Sequence, residues 1–373
     1  MLYLDNSATT RVHDEVLKEM LPFLQEEYGN PSSKYYLLAE NAKKAVASAR
    51  GKVSELIGCD PDEVVFTSGA TESNNMIIKG VAEYYGDNGQ HIITSKTEHP
   101  SVIETCKHLD SKGYKITYLD VDQYGRVKIN ELERVIKNEP PILVSLIWGN
   151  NELGSLNDIE MAARICEDNN ILFHTDATQI IGKVKFSLSN MPGIRFMSFS
   201  GHKIHGPKGI GVAIIRKDRL GINTRLTPLL HGGGQENDYR SGTLAVHNIV
   251  GLGKAAEIVS RDIDKAIEKL QELELACKQI LIQKFEEQLF FNHDDKNKIP
   301  GLLSFILKGV NNQRFIIKNS EVLALSTGSA CSSSRPSHVL SAIGKTDSEI
   351  RSTLRITLTP DIEEDDLKTI LEL

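Results

Sequence analysis

The sequence predicts an α/β protein, with a large domain built on a mostly parallel sheet of about seven strands and a smaller α+β domain. Short apolar strands alternate with amphipathic helices across residues 63–216, a pattern typical of right-handed crossover units. With 373 residues, the chain exceeds the size at which one hydrophobic core keeps growing. Beyond Gly253 the alternation gives way to a long helical stretch. We therefore place the large domain at 14–253 and the smaller one at 1–13 and 254–373.

Apolar spacing and helix-capping residues give the individual elements in order. Two helices are predicted first, from His13 to Tyr28 and over residues 34–57. The alternating region then predicts strands at 63–67, 91–95, 114–119, 142–148, 171–175, 196–200 and 209–216, with helices at 71–85, 100–109, 130–137 and 158–168. A long helix is predicted from Ala255 to Phe290, with Cys277 on its apolar face as a core residue. Strand-like segments follow at 302–307, 323–326 and 354–358.

The composition is that of a soluble globular protein, with 40% hydrophobic and 25% charged residues. A net charge of -7 gives no general attraction to nucleic acid or to an anionic membrane. The N-terminus lacks the features of a signal peptide, and no run of about 18 apolar residues occurs, so we expect a cytoplasmic protein. The five cysteines are widely spaced and form no CxxC pair, which argues against a disulfide framework and against a metal site.

Polar residues follow several predicted strands at the point where each strand ends. Ligands of parallel sheets bind beyond the carboxyl ends of the strands, so we take these residues as site candidates. They lie in Thr67–Ser73, Glu98–Pro100, Asn150–Glu152, His174–Gln179 and Ser200–Lys203. The first turn opens a helix whose N–H groups suit an anion, although a plain helix cap would have the same sequence.

Together these residues point to pyridoxal phosphate. Asp176 at the end of an apolar strand needs a cationic partner if it is buried, and a protonated pyridine nitrogen is such a partner. Lys203 would form a Schiff base with the cofactor, and His99 would stack on its ring. Taken singly, His99 could be an ordinary loop residue and Lys203 is one of 43 lysines and arginines. The prediction depends on the set of residues, not on any one of them.

The chain resembles the cysteine desulfurases of the NifS/IscS type, relatives of the class V aminotransferases with the fold type I architecture. The matching stretches are Leu4–Thr10, Gly29–Ser33, Thr67–Asn75, Glu98–Pro100, Asn150–Gly154, Asp176–Gln179, Ser198–Lys203, His231–Glu236, Arg240–Thr243 and Ser326–Cys331. The resemblance runs from Leu4 to about Thr359, so it implies the fold and the activity of that family for nearly the whole chain.

The resemblance also implies roles for individual residues. Lys203, His99 and Cys331 would be catalytic: L-cysteine would become L-alanine while its sulfur passes to Cys331 as a persulfide and then to an acceptor protein. Arg355 and Asn30 would hold the substrate carboxylate. The residues expected to bind the cofactor are Ala70, Thr71, His99, Asn151, Asp176, Gln179, Ser200, His202, Lys203 and Thr243. A threonine matching Thr243 reaches the phosphate of the neighbouring subunit in that family, which implies a homodimer.

The chain departs from the family pattern at three places. Tyr35 and Leu38 stand where the family has a histidine and a glycine, and the loop after Cys331 is shorter. The sequence ends at Leu373 without the C-terminal extension by which IscS-like proteins dock a scaffold, which favours a dedicated sulfur acceptor in a thiolation pathway over a housekeeping iron–sulfur role. Two alternatives remain open: a selenocysteine lyase or cysteine sulfinate desulfinase on the same cofactor, and a non-catalytic sulfur-relay scaffold.

Overall fold

A computed structural model of the chain describes residues 1–218, 220–327 and 336–372. Within these residues the chain forms twelve strands and ten α-helices. The strands are β1 (Leu2–Tyr3), β2 (Val64–Thr67), β3 (His91–Ser95), β4 (Lys115–Leu119), β5 (Leu143–Ile147), β6 (Leu172–Asp176), β7 (Phe196–Ser200), β8 (Gly211–Ile215), β9 (Leu289–Phe291), β10 (Leu302–Leu307), β11 (Leu323–Ala324) and β12 (Thr353–Thr357). The helices are α1 (Asp14–Gln25), α2 (Leu37–Ile57), α3 (Ala70–Tyr85), α4 (Pro100–Asp110), α5 (Ile129–Asn138), α6 (Ile159–Asp168), α7 (Val246–Phe285), α8 (Asn312–Asn319), α9 (His338–Ala342) and α10 (Asp347–Ile350).

The central sheet has seven strands in the order β2-β8-β7-β6-β5-β3-β4. Strand β8 runs antiparallel to both of its neighbours, and the other pairs are parallel. Every residue of β3, β5 and β7 is buried, as expected for strands with helices on both sides. The structure thus confirms the predicted mostly parallel seven-stranded sheet.

Hydrophobic cores lie on both faces of this sheet. Ile92 and Ile93 are neighbours in β3 and pack into different cores, because successive side chains of a strand point to opposite faces. Helices α3 and α4 cover one face, and α2, α5, α6 and the first part of α7 cover the other. Each large apolar side chain buried in this way contributes about 1.5–3 kcal/mol. The two cores fix the strand ends on which the site is built.

A third core joins α7 to the small antiparallel sheet β12-β10-β9. Leu270, Leu273 and Leu281 of α7 belong to it together with Cys277, which is fully buried as predicted. The predicted domain boundary at 253 falls inside α7, and the division into two domains stays a prediction. Neither α7 nor any other helix in the described part of the chain is long and apolar enough to cross a membrane.

The predicted limits of two helices are wrong. Helix α1 stops at Gln25 and not at Tyr28, after a turn that contains Pro22. The long helix begins at Val246 and ends at Phe285, because Glu286 takes a positive φ of 45° that a helix cannot continue. The residues that follow pair with β10 as strand β9, so the predicted helical end at Phe290 is a strand.

Candidate active site

A cavity of about 260 Å³ opens beyond the carboxyl ends of the central strands. The structure brings ten of the predicted site residues to its wall: Ala70, Thr71, His99, Asn151, Asp176, Gln179, Ser200, His202, Lys203 and Arg355. The first nine follow or end β2, β3, β5, β6 and β7, which is the edge where a parallel sheet binds its ligands. Arg355 comes from β12 of the small sheet.

Lys203 is the last residue of a tight 3₁₀ turn that follows β7. Its ammonium group donates hydrogen bonds to two backbone carbonyls of the N-terminal segment, 2.5 Å to Ser7 O and 2.7 Å to Ala8 O. Since β7 and β8 are hydrogen-bonded on either side of the turn, the lysine is held on a rigid connection. A primary amine so placed at the cavity wall is suited to react with a carbonyl group.

The N-terminal segment over residues 5–10 forms one side of the site. Ser7 O also accepts a hydrogen bond from Gln179 Nε2 at 3.0 Å, and Thr9 Oγ1 lies 3.1 Å from His202 Nδ1. The sequence reasoning matched this segment to a family but assigned it no role. Its contacts are made largely through backbone carbonyls, which every residue has, so no residue type marks them.

Asp176 ends β6 and is only 3% exposed. Its Oδ2 accepts from Asn74 Nδ2 at 2.8 Å and its Oδ1 accepts from the backbone N–H of Thr178 at 3.0 Å. Both donors are neutral, so they hold the carboxylate in place without supplying a positive charge. A buried carboxylate that is held by neutral donors at a cavity wall is well matched to a cationic ring nitrogen.

His99 is the residue just before α4, and its imidazole caps that helix. Its Nδ1 accepts from the backbone N–H of Ser101 at 3.1 Å and lies 2.8 Å from Ser101 Oγ. Burial is the largest influence on this ring and lowers the pKa of His99; the positive charge of Lys203 acts in the same direction and the negative charge of Asp176 against it. The neutral imidazole can therefore present its face to a cofactor ring.

The predicted phosphate cradle lies at the N-terminus of α3. The backbone N–H of Ala70 donates to Ser200 Oγ at 2.7 Å. Gly69 has a φ of 155°, and a Cβ on Gly211 at the start of β8 would lie 2.5 Å from the Gly69 Cα, so this close approach requires glycine at position 211. Burial, with the charges of nearby lysines, lowers the pKa of His202 to about 4. Helix amides, hydroxyls and a neutral imidazole together suit a phosphate group.

Arg355 brings a buried positive charge to the cavity and is 1% exposed. Its Nη2 donates to Asp5 Oδ1 and its Nη1 to the carbonyl oxygen of Asn151, both at 2.6 Å. Asp5 and Asn151 lie in different parts of the chain, so this one guanidinium links the N-terminal segment to the end of β5. A fixed guanidinium at a cavity wall is suited to bind a carboxylate.

Two buried glutamates beside the cavity hold protons more tightly than usual. Burial raises the pKa of Glu98 to about 8, and it also raises the pKa of Glu152. Glu152 lines the cavity, and its Oε2 accepts a hydrogen bond from Ser337 Oγ at 2.5 Å. The sequence does not predict the burial of either glutamate, because a glutamate in a turn is ordinarily exposed.

Two predicted residues lie away from the cavity wall, and a third lies outside the described residues. Asn30 and Thr243 are exposed, and Asn30 Oδ1 accepts from the backbone N–H of Ser32 at 2.9 Å. Cys331 lies outside the described residues. On either side of it, the backbone of Ser326 pairs with Arg355, and Ser337 binds Glu152 as described above.

This arrangement fits pyridoxal phosphate. Asp176 offers a carboxylate that has no cationic hydrogen-bond donor among the described residues, Lys203 offers an amine, and the turn before α3 offers phosphate donors, all around one cavity. The fold and the cavity define a pyridoxal-phosphate-dependent enzyme of the fold type I class.

Comparisons with known proteins give the family. The chain matches the family described as Aminotransferase class-V over residues 2–370, and it belongs to that family. It is 41% identical over 377 residues to the cysteine desulfurase IscS of Salmonella paratyphi C, an alignment that covers all of this chain and 91% of the relative.

Two solved structures are also similar. One is a NifS-like protein, with a TM-score of 0.92, 37% identity, and coverage of 100% of this chain and 97% of that one. The other, described as SspA in complex with cysteine, has a TM-score of 0.84 and 36% identity, with coverage of 96% and 99%. The predicted family, fold type and cofactor are thereby confirmed.

Proposed function

We infer that this protein is a pyridoxal-phosphate-dependent cysteine desulfurase that converts L-cysteine to L-alanine and passes the sulfur to Cys331. The observation that carries this inference is the single cavity in which Lys203, Asp176 and Arg355 meet. The full-length similarity to a named cysteine desulfurase and to a structure that contains cysteine supports the choice of substrate.

Lys203, Asp176 and His99 would hold the cofactor and move protons. The bound cofactor supplies an electron sink for the carbon atoms of the substrate. Asp176 would hold a proton on the ring nitrogen through its negative charge, and His99 would offer the face of its imidazole to the ring. Lys203 would supply the amine that binds the cofactor. The amine of Lys203 or the imidazole of His99 would accept the substrate α-proton.

Arg355 would bind the carboxylate of L-cysteine, with Asn30 assisting. The guanidinium is already oriented by Asp5 and by the carbonyl of Asn151, so little side-chain entropy is lost when substrate binds.

Cys331 would be the nucleophile for sulfur transfer. Its thiolate attacks the substrate sulfur, an S–S bond forms, and the C–S bond breaks with its electron pair left on the carbon that becomes the alanine methyl group. The other four thiols are poor candidates: burial raises the pKa of Cys59, Cys106 and Cys277 to about 12, and it also raises the pKa of Cys166. The contacts of Ser326 and Ser337 with cavity residues on either side of Cys331 support this role.

A homodimer with shared sites would account for the position of Thr243 away from the cavity wall. Thr243 is exposed and would reach the phosphate in the partner's site. The persulfide on Cys331 would then pass to an acceptor protein in the cytoplasm, in an iron–sulfur or thiolation pathway.

The test is to measure alanine formation from L-cysteine together with the visible absorbance of the bound cofactor. Lys203→Ala should abolish both the absorbance band of the covalently held cofactor and alanine formation. Cys331→Ala should keep the absorbance band and lose the transfer of sulfur. Lys185→Ala is the control, because this lysine pairs on the surface with Asp264. Wild-type rates of alanine formation by Lys203→Ala would refute the proposed function.

A further inference from the structure

Four side chains form a continuous line of hydrogen bonds behind the cavity wall. Asp176 Oδ2 accepts from Asn74 Nδ2 at 2.8 Å, and the same Asn74 nitrogen donates to Ser101 Oγ at 2.9 Å. Ser101 Oγ lies 2.8 Å from His99 Nδ1. Asn74 is fully buried and Ser101 is 8% exposed. The line therefore joins the carboxylate proposed for the ring nitrogen to the imidazole proposed to stack on the ring.

The direction of each hydrogen bond follows from counting donors. An ionised carboxylate only accepts, so the NH₂ group of Asn74 must face Asp176. An NH₂ group has two hydrogens, and the second one points at Ser101. Asn74 Oδ1 has no hydrogen-bond partner within the part of the chain that the structure describes, so the two bonds from Nδ2 set the orientation of the amide.

The same count then fixes the tautomer of His99. Because Ser101 Oγ accepts from Asn74, its own hydrogen is available for His99 Nδ1. The backbone N–H of Ser101 also points at that nitrogen, at 3.1 Å. A nitrogen that accepts two hydrogen bonds carries no proton, so a neutral His99 must have its proton on Nε2.

We propose that Asn74 and Ser101 are positioning residues that use the Asp176 carboxylate to hold His99 as the Nε2–H tautomer. This inference rests on the proposed function, in which Asp176 and His99 both contact the cofactor. It narrows the choice of base for the substrate α-proton. His99 can donate from Nε2, but Nδ1 cannot take a proton without losing two donors, so Lys203 is the group that accepts the α-proton.

The charged and titratable groups around His99 come from three other elements. Asp176 at the end of β6 favours the protonated ring, whereas Lys203 after β7 and His338 of α9 disfavour it. Burial acts with the latter two. The neutral state of the ring is therefore supported by its surroundings as well as by the two donors at Nδ1.

A purely structural role must be distinguished from this one. Asn74 belongs to α3 and Ser101 to α4, so their hydrogen bond could serve only to join two helices. A structural role would make loss of the bond affect stability, but it would leave the protonation of His99 unchanged. The position of the imidazole proton is thus the readout that separates the two roles.

The test uses the full chain with its cofactor, selectively labelled with ¹⁵N-histidine, and NMR shifts that distinguish the two imidazole nitrogens. The His99 signals are assigned with His99→Gln. Wild type should show a neutral ring with the proton on Nε2. Asn74→Asp replaces the NH₂ donor by an acceptor, so Ser101 should turn its hydrogen towards residue 74 and leave Nδ1 with the backbone N–H of Ser101 as its donor. The pKa of His99 should then rise, and the tautomer with the proton on Nδ1 should gain population. Asn75→Asp is the matched control, because this half-buried neighbour donates to Thr71 O in its own helix.

A second variant covers the case in which Asn74→Asp fails to fold. Ser101→Ala removes one of the two donors to Nδ1, so the pKa of His99 should rise. A wild-type ring protonated on Nδ1, an unchanged tautomer in Asn74→Asp, or an unchanged titration in Ser101→Ala would overturn the inference. The proposed function is scored separately by alanine formation: normal turnover with the wrong tautomer refutes only this inference, and the predicted tautomer without turnover refutes only the proposed function.

Discussion

The two sides of the cavity are held in place by different means. On the sheet side, Asp176, His99 and Lys203 lie at the ends of β6, β3 and β7 or just after them, and backbone pairing of the strands sets their positions. On the other side, Arg355 of the small sheet is joined to Asp5 of the N-terminal segment by an ion pair across 350 positions of sequence. The sheet side would bind the cofactor, and the Arg355 side would bind the substrate.

This difference determines what mutations should do. A change on the sheet side removes a chemical group while the strand that carries it remains paired, so the chemistry should suffer more than the fold. A change on the Arg355 side breaks a contact that also connects distant segments, so substrate affinity and stability should both fall. The predictions below separate the two sides by these readouts.

Asp176→Asn should have the largest effect. The substitution keeps the shape of the side chain and one of its two hydrogen-bond acceptors, but it removes the charge that would hold the ring nitrogen protonated. We expect kcat for alanine formation to fall by about 100- to 1,000-fold, the usual cost of losing one electrostatic contact to the reacting group. Asp168→Asn, at the end of α6, is the control. A kcat within a few-fold of wild type would show that Asp176 does not serve the cofactor.

Arg355→Lys should act mainly on substrate binding. Lysine keeps the positive charge but cannot form the bidentate contact with a carboxylate. We therefore expect kcat/KM to fall by about 100-fold, through a higher KM. The cofactor absorbance should stay as in wild type, because the sheet side is intact. Arg351→Lys is the matched control, since Arg351 is exposed just after α10. An unchanged KM would place the substrate carboxylate elsewhere.

Asp5→Asn should lower the free energy of unfolding by about 2 kcal/mol, because it removes a carboxylate that pairs with the buried guanidinium of Arg355. The figure lies below that for a fully buried pair, since the Asp5 side chain is 19% exposed. Urea unfolding measures it. Asp365→Asn is the comparison, because its pair with Lys368 is fully exposed to solvent and should contribute far less to stability. Equal effects of the two substitutions would contradict the linking role of Arg355.

Glu98→Gln should change how stability depends on pH. Burial raises the pKa of Glu98 from its ordinary 4.5 to about 8, so the folded protein binds a proton that the unfolded chain releases in this range. The stabilisation of the folded protein by this proton is complete below pH 4.5 and is lost as the pH rises towards 8 and above. The melting temperature of Glu98→Gln relative to wild type should therefore increase between pH 5 and pH 9.

The control for this experiment is Glu104→Gln, on the exposed face of α4. Its melting temperature relative to wild type should not rise with pH in this way. A difference between Glu98→Gln and wild type that is the same at every pH would mean that Glu98 is ionised throughout.

The sheet side could be predicted from sequence because a simple rule selects it. Residues just after the strands of a parallel sheet meet at one edge, and that rule places His99, Asp176 and Lys203 together from the sequence alone. The strands themselves were found because each is a short apolar run bounded by polar turns.

No comparable sequence pattern predicts the rest of the site. Asp5 and Ser7 act through an ion pair and a backbone carbonyl with partners far away in the sequence. Asn74 and Ser101 look like ordinary polar residues near helix starts, and their bond exists only because α3 and α4 pack side by side. The mistaken helix end near Phe290 has a similar cause, since an apolar segment becomes a strand when a partner strand is available.

The most direct test of the account is to find the sulfur after one turnover. The full-length protein with its cofactor is mixed with L-cysteine in the absence of reductant, and its peptides are examined by mass spectrometry while alanine is counted. We predict one added sulfur atom on the peptide that contains Cys331, in step with one alanine per site, and none on Cys59. Alanine formed without sulfur on Cys331, or sulfur found equally on the other cysteines, would contradict the proposed desulfurase.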